Sequence, residues 1–163
     1  MKKLFLVVFS LIINADSFAA FESTYEPLQS EKVLFINGNI LDGEGNELLD
    51  TDLLIGNGKI IAIGKGISVE DKDIKIIDAK NKWITPGIID IHSHMGVYPA
   101  PSVRTSSDGN EATSPVTAEV WAEHSMWVQD PQYSLALKGG ITTFHVLPGS
   151  ANLIGGRGVT VKN

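Results

Sequence analysis

The chain of 163 residues has no cysteine, which excludes a disulfide framework, a thiol nucleophile and lipid attachment through a thiol. It has no cluster of lysine and arginine, and its formal net charge is −6. An acidic chain of this kind carries no footprint for nucleic acid. Nor does it favour a strongly anionic substrate, although a bound cation can dominate the field locally. No serine stands in a Gly-x-Ser-x-Gly elbow, so that route to an activated hydroxyl is absent. The string Gly155-Gly156-Arg157-Gly158 lacks the Gly-Lys-Ser/Thr of a phosphate loop; it reads as a tight loop, with Arg157 a candidate substrate contact. There is no internal repeat, and no apolar run is long enough to span a bilayer. What remains, at 43% hydrophobic and 20% charged residues, is the composition of a soluble globular protein.

Met1-Lys2-Lys3 precedes an apolar run over residues 4–13, and small residues follow at Ser17, Ala19 and Ala20. A basic start, a short apolar core and a small-residue cleavage site make a secretory signal peptide. Residues 1–20 are therefore expected to be removed, leaving a periplasmic or secreted protein with no membrane attachment. Residues 21–31 are polar and irregular and read as a linker.

Residues 32–85 carry a succession of short strand patterns. Residues 32–40 alternate around Val33, Phe35 and Ile40 and run into Asp42-Gly43-Glu44-Gly45, a turn signal. Residues 52–55 and 59–63 flank Asn57-Gly58, the signature of a tight hairpin. Residues 74–77 and 82–84 add two more strands. Four or five short strands without a helical pattern predict a small all-β, sandwich-like module.

The most informative string is Pro86-Gly87-Ile88-Ile89-Asp90-Ile91-His92-Ser93-His94. The isoleucines predict a buried strand. Side chains alternate along a strand, so His92 and His94 share a face and their imidazoles can converge on one metal ion. Two ligands do not close a zinc site, and an isolated His-x-His is weak as a motif. Asp90 strengthens it, because a third ionisable group on that face is costly to bury without a metal or a hydrogen-bond network. Asp90 is expected to orient an imidazole or bound solvent.

Residues 96–115 show no apolar periodicity and predict a long loop emerging beside the two histidines, a lid or substrate wall if ordered. Ser114-Pro115 then resembles a helix start, with Val120, Trp121, His124 and Trp127 at helical spacing. Trp121 and Trp127 read as core anchors and His124 as a packed or half-exposed histidine. A second helix is predicted from Asp130-Pro131 to Lys138, ended by Gly139-Gly140. His145, near the end of a following strand, is a candidate for substrate contact, weighed against plain packing.

The order of a β-rich leader, Asn57-Gly58-Lys59-Ile60 and Thr85-Pro86-Gly87-Ile88-Ile89-Asp90-Ile91-His92-Ser93-His94 resembles the N-terminal portion of the metal-dependent amidohydrolase superfamily. Gly140-Ile141-Thr142-Thr143-Phe144-His145-Val146-Leu147-Pro148-Gly149 resembles that family's second barrel strand. Ser150-Ala151-Asn152-Leu153-Ile154-Gly155-Gly156 extends the similarity toward the imidazolonepropionase-related branch. The resemblance implies that residues 86–163 begin a (β/α)8 barrel. It implies a divalent metal, zinc by default for nitrogen ligands, as one ion or two, with His92 and His94 as ligands. It also implies hydrolysis of a non-peptide C–N bond in a small-molecule substrate, such as a cyclic amide. The residues after Pro86 fall far short of the roughly 250 that a complete barrel takes. The remaining ligands and the general base are thus expected on later strands, and this stretch alone is expected to be inactive.

Two other readings are a secreted β module acting by binding, and another His-x-His metal hydrolase of phosphotriesterase or deaminase type; the β leader favours the amidohydrolase. The sequence is compatible with an oligomer but does not specify one. Expressed with its leader in a bacterial host, the protein is predicted to be cleaved after Ala19 or Ala20. Mass spectrometry of the exported product checks this, and an intact Met1 would overturn it.

Overall fold

The structure is a computed structural model that describes Glu26 and residues 30–163. The expected signal peptide and most of the expected linker lie outside the described residues.

The first part is one mixed sheet. Strands β1 (Val33–Leu41) and β2 (Glu47–Gly56) pair antiparallel, and β3 (Lys59–Gly64) pairs antiparallel with β2. Asn57 and Gly58 both adopt positive φ (51° and 68°), the conformation a two-residue hairpin turn requires. At the β1–β2 turn, Asp42 Oδ1 accepts from the N–H groups of Glu44 and Asn46 at 2.8 and 3.1 Å. On its other edge β1 pairs in parallel with β4 (Lys75–Asp78) and, further along, with the short β5 (Trp83–Ile84).

The expected sandwich-like arrangement is therefore corrected to a single five-stranded sheet. The reason is the length of β1: its first four residues pair with β4, and Asn39 and Ile40 then pair with β5. One strand thus takes both partners along one edge instead of leaving them to form a facing layer. Between the two pairings the register shifts near Gly38, where an added Cβ would lie 3.0 Å from Ile84 Cδ1. Leu34, Ile40, Leu53, Leu54 and Ala79 are the buried apolar residues of this module.

The second part is a three-stranded sheet. Strand β6 (Ile88–Ser93) pairs in parallel with β7 (Ile141–Val146), and β7 pairs antiparallel with β8 (Val159–Lys162). The connection from β6 to β7 contains helix α1 (Gln132–Lys138), which occupies the second predicted helical stretch. Gly139 caps its C-terminus, donating to the Leu135 and Ala136 carbonyls, and Gly140 follows at φ 91°. Phe144, Val146, Val97 and Ala122 form the core, with Tyr133 and Ala136 of α1 packed against it.

Three expectations fail here. The helix predicted from Ser114-Pro115 does not form. Ser114 Oγ instead accepts from Val116 N–H at 3.2 Å, and the following chain pairs with residues 154–157. Thr117 N–H donates to Ile154 O and Ala122 N–H to Arg157 O, so these backbone groups are satisfied by a distant segment rather than by a helical ladder. Only a 3₁₀ turn, Ala122–His124, remains. Trp127, expected in the core, is 38% exposed at the end of this irregular run. The isoleucines of β6, expected to be buried, are 55, 61 and 76% exposed at Ile88, Ile89 and Ile91. Strand β6 is the edge of its sheet, and no described element pairs along its outer side.

Phe144 is fully buried at the centre of the second core. Phe144→Ala is expected to cost about 3–5 kcal/mol there. Hydrogen exchange should report the loss in β6–β8 and leave the amides of β1–β3, which belong to a separate core, protected. Equal loss in both sheets would contradict two separate cores.

Candidate metal-ligating strand end

The C-terminal end of β6 positions both histidines. Ser93 is buried and turned toward the core, and His92 and His94 on either side of it are more open, as strand alternation requires. Their rings stand edge to face with centroids 5.2 Å apart. Asp90 Oδ1 accepts from the backbone N–H of His92 at 3.1 Å. The carboxylate therefore braces the strand end through its backbone, where sequence reading expected it to orient an imidazole or solvent.

The His94 ring is fixed by a partner that the sequence did not reveal. Its Nδ1 lies 2.9 Å from the carbonyl oxygen of Leu147, the residue after β7. A carbonyl only accepts, so Nδ1 is the donor, which in the neutral tautomer leaves Nε2 as the acceptor. This is the arrangement that orients a metal-ligating imidazole and sets its tautomer. The Leu147 N–H also donates to Ser93 O at 2.9 Å, so the backbone of one residue past β7 holds the end of β6 at two points.

A buried carboxylate organises the chain just beyond. Asp130 is 3% exposed. It accepts from Gly96 N–H (3.0 Å), Ala100 N–H (3.2 Å), and Gln132 N–H and Nε2 (3.0 and 2.9 Å). Burial pushes its pKa up, but these hydrogen bonds outweigh burial and hold the group below its ordinary value. Beside it, Tyr133 Oη donates to Met95 O at 3.2 Å. Burial, reinforced by the Asp130 charge, keeps that phenol protonated to higher pH than usual. Asp130 reads in the sequence only as a helix start, which its contact with Gln132 N–H matches; its contacts with Gly96 and Ala100 have no sequence signal.

The loop over residues 96–115 is ordered against the histidines at its start. Tyr98 lies edge-on to His94, with ring centroids 5.7 Å apart. The other sequence candidates lie elsewhere. His145, half-buried on β7, has its Nδ1 2.9 Å from Thr160 Oγ1 on β8. The Arg157 guanidinium stacks 4.7 Å over the Trp121 ring, a cation–π contact. His124 is exposed and 3.4 Å from Glu123.

The donor chemistry fits part of a divalent-cation centre: two imidazoles on one strand end, one with its ligating nitrogen set free by a backbone acceptor. Among the described residues, no group of three or more His, Cys, Asp or Glu side chains is gathered to hold an ion.

Comparison with known proteins gives this geometry a family. No protein-family profile matches the chain. A crystal structure of an amidohydrolase from Thermotoga maritima superposes with a TM-score of 0.69 at 39% identity, over 80% of this chain and 33% of that one. Amidohydrolase tasK of Hapsidospora irregularis is 35% identical over 114 residues, 69% of this chain and 12% of its own length. A dihydroorotase of Bacillus cytotoxicus is 33% identical over 115 residues, 71% of this chain and 21% of its own. The chain belongs to the amidohydrolase superfamily. It spans between about an eighth and a third of the length of these relatives.

Because the folded-state pKa of Asp130 lies below its ordinary 3.8, its stabilising contribution is complete above that value and is lost as pH falls through the lower, folded one. Asp130→Ala is expected to destabilise the second sheet by about 1–3 kcal/mol at neutral pH, through backbone donors left unpaired. The deficit relative to the natural sequence should shrink in thermal melts below pH 4. A deficit that does not change with pH would remove the charge from the explanation.

Proposed function

We propose that the whole protein is an exported, metal-dependent amidohydrolase that opens a cyclic amide or a similar small-molecule C–N bond, with His92 and His94 as two of its cation ligands. The observation that carries this reading is the hydrogen bond from His94 Nδ1 to Leu147 O beside the edge-to-face His92 ring. A packed core histidine does not need a second imidazole beside it at the open end of a strand. A divalent cation, zinc by preference for imidazole donors, supplies Lewis acidity and makes hydroxide available near neutral pH.

The residues of this chain have separate tasks in that chemistry. His92 and His94 bind through neutral rings, so affinity falls as the imidazoles protonate. Leu147 O holds the proton of His94 on Nδ1, and Asp90 holds the His92 backbone. His145 and Arg157 stand as candidate substrate contacts. The parallel β6–β7 pair is read as the first two strands of a (β/α)8 barrel, with further ligands and the general base on strands beyond residue 163. The exposed isoleucines of β6 support that reading, since a barrel would cover them. The antiparallel β8 is then an insertion after the second strand. Export follows from the N-terminal residues, and the acidic balance argues against a nucleic-acid partner.

Titration calorimetry of the 163-residue chain is expected to show weak zinc binding that His92→Ala largely abolishes. Tight stoichiometric binding untouched by that substitution would sink the assignment. The reading frame downstream of codon 163, if it continues with histidines at later strand ends, should restore ring-opening activity when expressed with this chain. A longer product that takes zinc yet leaves cyclic amides intact would move the reading to another His-x-His hydrolase.

A further inference from the structure

We propose that Tyr98 is a positioning residue for His94, an inference that rests on reading the two histidines as cation ligands. Immediately after β6 the chain folds back on itself. The N–H groups of Val97 and Tyr98 both donate to His94 O, at 3.2 and 3.0 Å. Gly96, at φ 80°, allows the reversal, and it lies so close to Tyr133 Oη that no Cβ would fit there. The reversal brings the Tyr98 ring against the His94 imidazole in a T-shaped contact, centroids 5.7 Å apart.

The tyrosine is itself confined. Gly109 in the loop over residues 96–115 and Gly149 in the loop after β7 are joined by a hydrogen bond from Gly149 N–H to Gly109 O at 2.6 Å. A Cβ on Gly109 would overlap the Tyr98 ring, and a Cβ on Gly149 would overlap its phenol oxygen. Asn110 donates through Nδ2 to the Tyr98 phenol and accepts from Ala151 N–H at 3.2 Å. Asn152 Nδ2 donates to Glu111 O and Ser114 O, both at 2.7 Å. Two loops far apart in sequence are thus stapled together, and the wedge they hold is the ring that abuts His94.

This has a consequence for the imidazole. The hydrogen bond to Leu147 O constrains one nitrogen, but half a turn about the Cβ–Cγ bond would exchange Nδ1 for a carbon and break it. Tyr98 occupies space needed for that rotation. The ring therefore keeps Nδ1 on the carbonyl and Nε2 available, and the staple transmits the arrangement of both loops to a ligand atom.

The test uses the full chain labelled with ¹⁵N and free of metal, read by long-range proton–nitrogen correlation of the imidazoles, followed by zinc titration. In the natural sequence His94 should appear as a single Nδ1–H tautomer. Tyr98→Leu should average its two nitrogen signals and weaken zinc binding by about tenfold, the scale on which such supporting contacts act. Tyr98→Phe keeps the ring and should preserve both properties. The amides of β1–β3 serve as a folding control. Should Tyr98→Leu fail to fold, Gly149→Ala displaces the phenol from the other side and is expected to broaden the His94 signals alone. Unchanged His94 signals in Tyr98→Leu, or equal losses in the Phe and Leu variants, would overturn the ring-wedge inference. If His94 loosens as expected but no form takes up zinc, the positioning stands and the cation reading falls. If zinc binds the natural sequence and Tyr98→Leu alike, the cation reading stands and the positioning falls.

Discussion

Asp130 accepts hydrogen bonds from Gly96, Ala100 and Gln132, and through them the chain that leaves β6 is tied to the start of helix α1. The carboxylate is buried, so each unmade bond would leave a polar group without water or partner. That constraint explains why the long connection after the histidines begins as a defined structure. The tight reversal at Gly96, the burial of Val97 and the seating of Tyr133 over Met95 O all follow from it. With the connection anchored, α1 packs on β7 and the end of β7 meets the end of β6.

The candidate site depends on that meeting. Leu147 sits one residue past β7, and its backbone serves Ser93 with the N–H and His94 with the carbonyl. The fixed tautomer and orientation of the His94 ring are therefore a product of strand pairing rather than of the His-x-His string. The two sheets divide the work. The first has its own core and carries none of the candidate ligands, whereas the second holds both histidines, yet exposes the isoleucines of the strand that bears them. A strand with a buried strand's composition at an open sheet edge agrees with a chain spanning a fraction of its relatives' length.

Legibility in the sequence followed the range of the interaction. Hairpin turns, the glycine stop after Lys138 and the alternation that puts His92 and His94 on one face depend on neighbours a few residues apart, and the structure has them. The Ser114–Trp127 stretch was misread because helical spacing of apolar residues competes with pairing to residues 154–157, and only the distant partner decides between them. The sandwich expectation failed for a similar reason: strand patterns give the number of strands, but not that β1 takes β4 and β5 along one edge. Leu147 and the reach of Asp130 to Gly96 and Ala100 had no local signal, because each acts on a residue brought near by folding.

From the residues alone came the class of chemistry: paired imidazoles at a strand end after an apolar run, in an acidic chain without thiols. Alternation along a strand is a local rule, and it holds whatever the rest of the molecule does. The tertiary structure decided which nitrogen of His94 meets a backbone acceptor and which surfaces of β6 remain uncovered. Those properties depend on contacts between residues tens of positions apart, such as the 53 that separate His94 from Leu147, and no pattern along the chain encodes that distance.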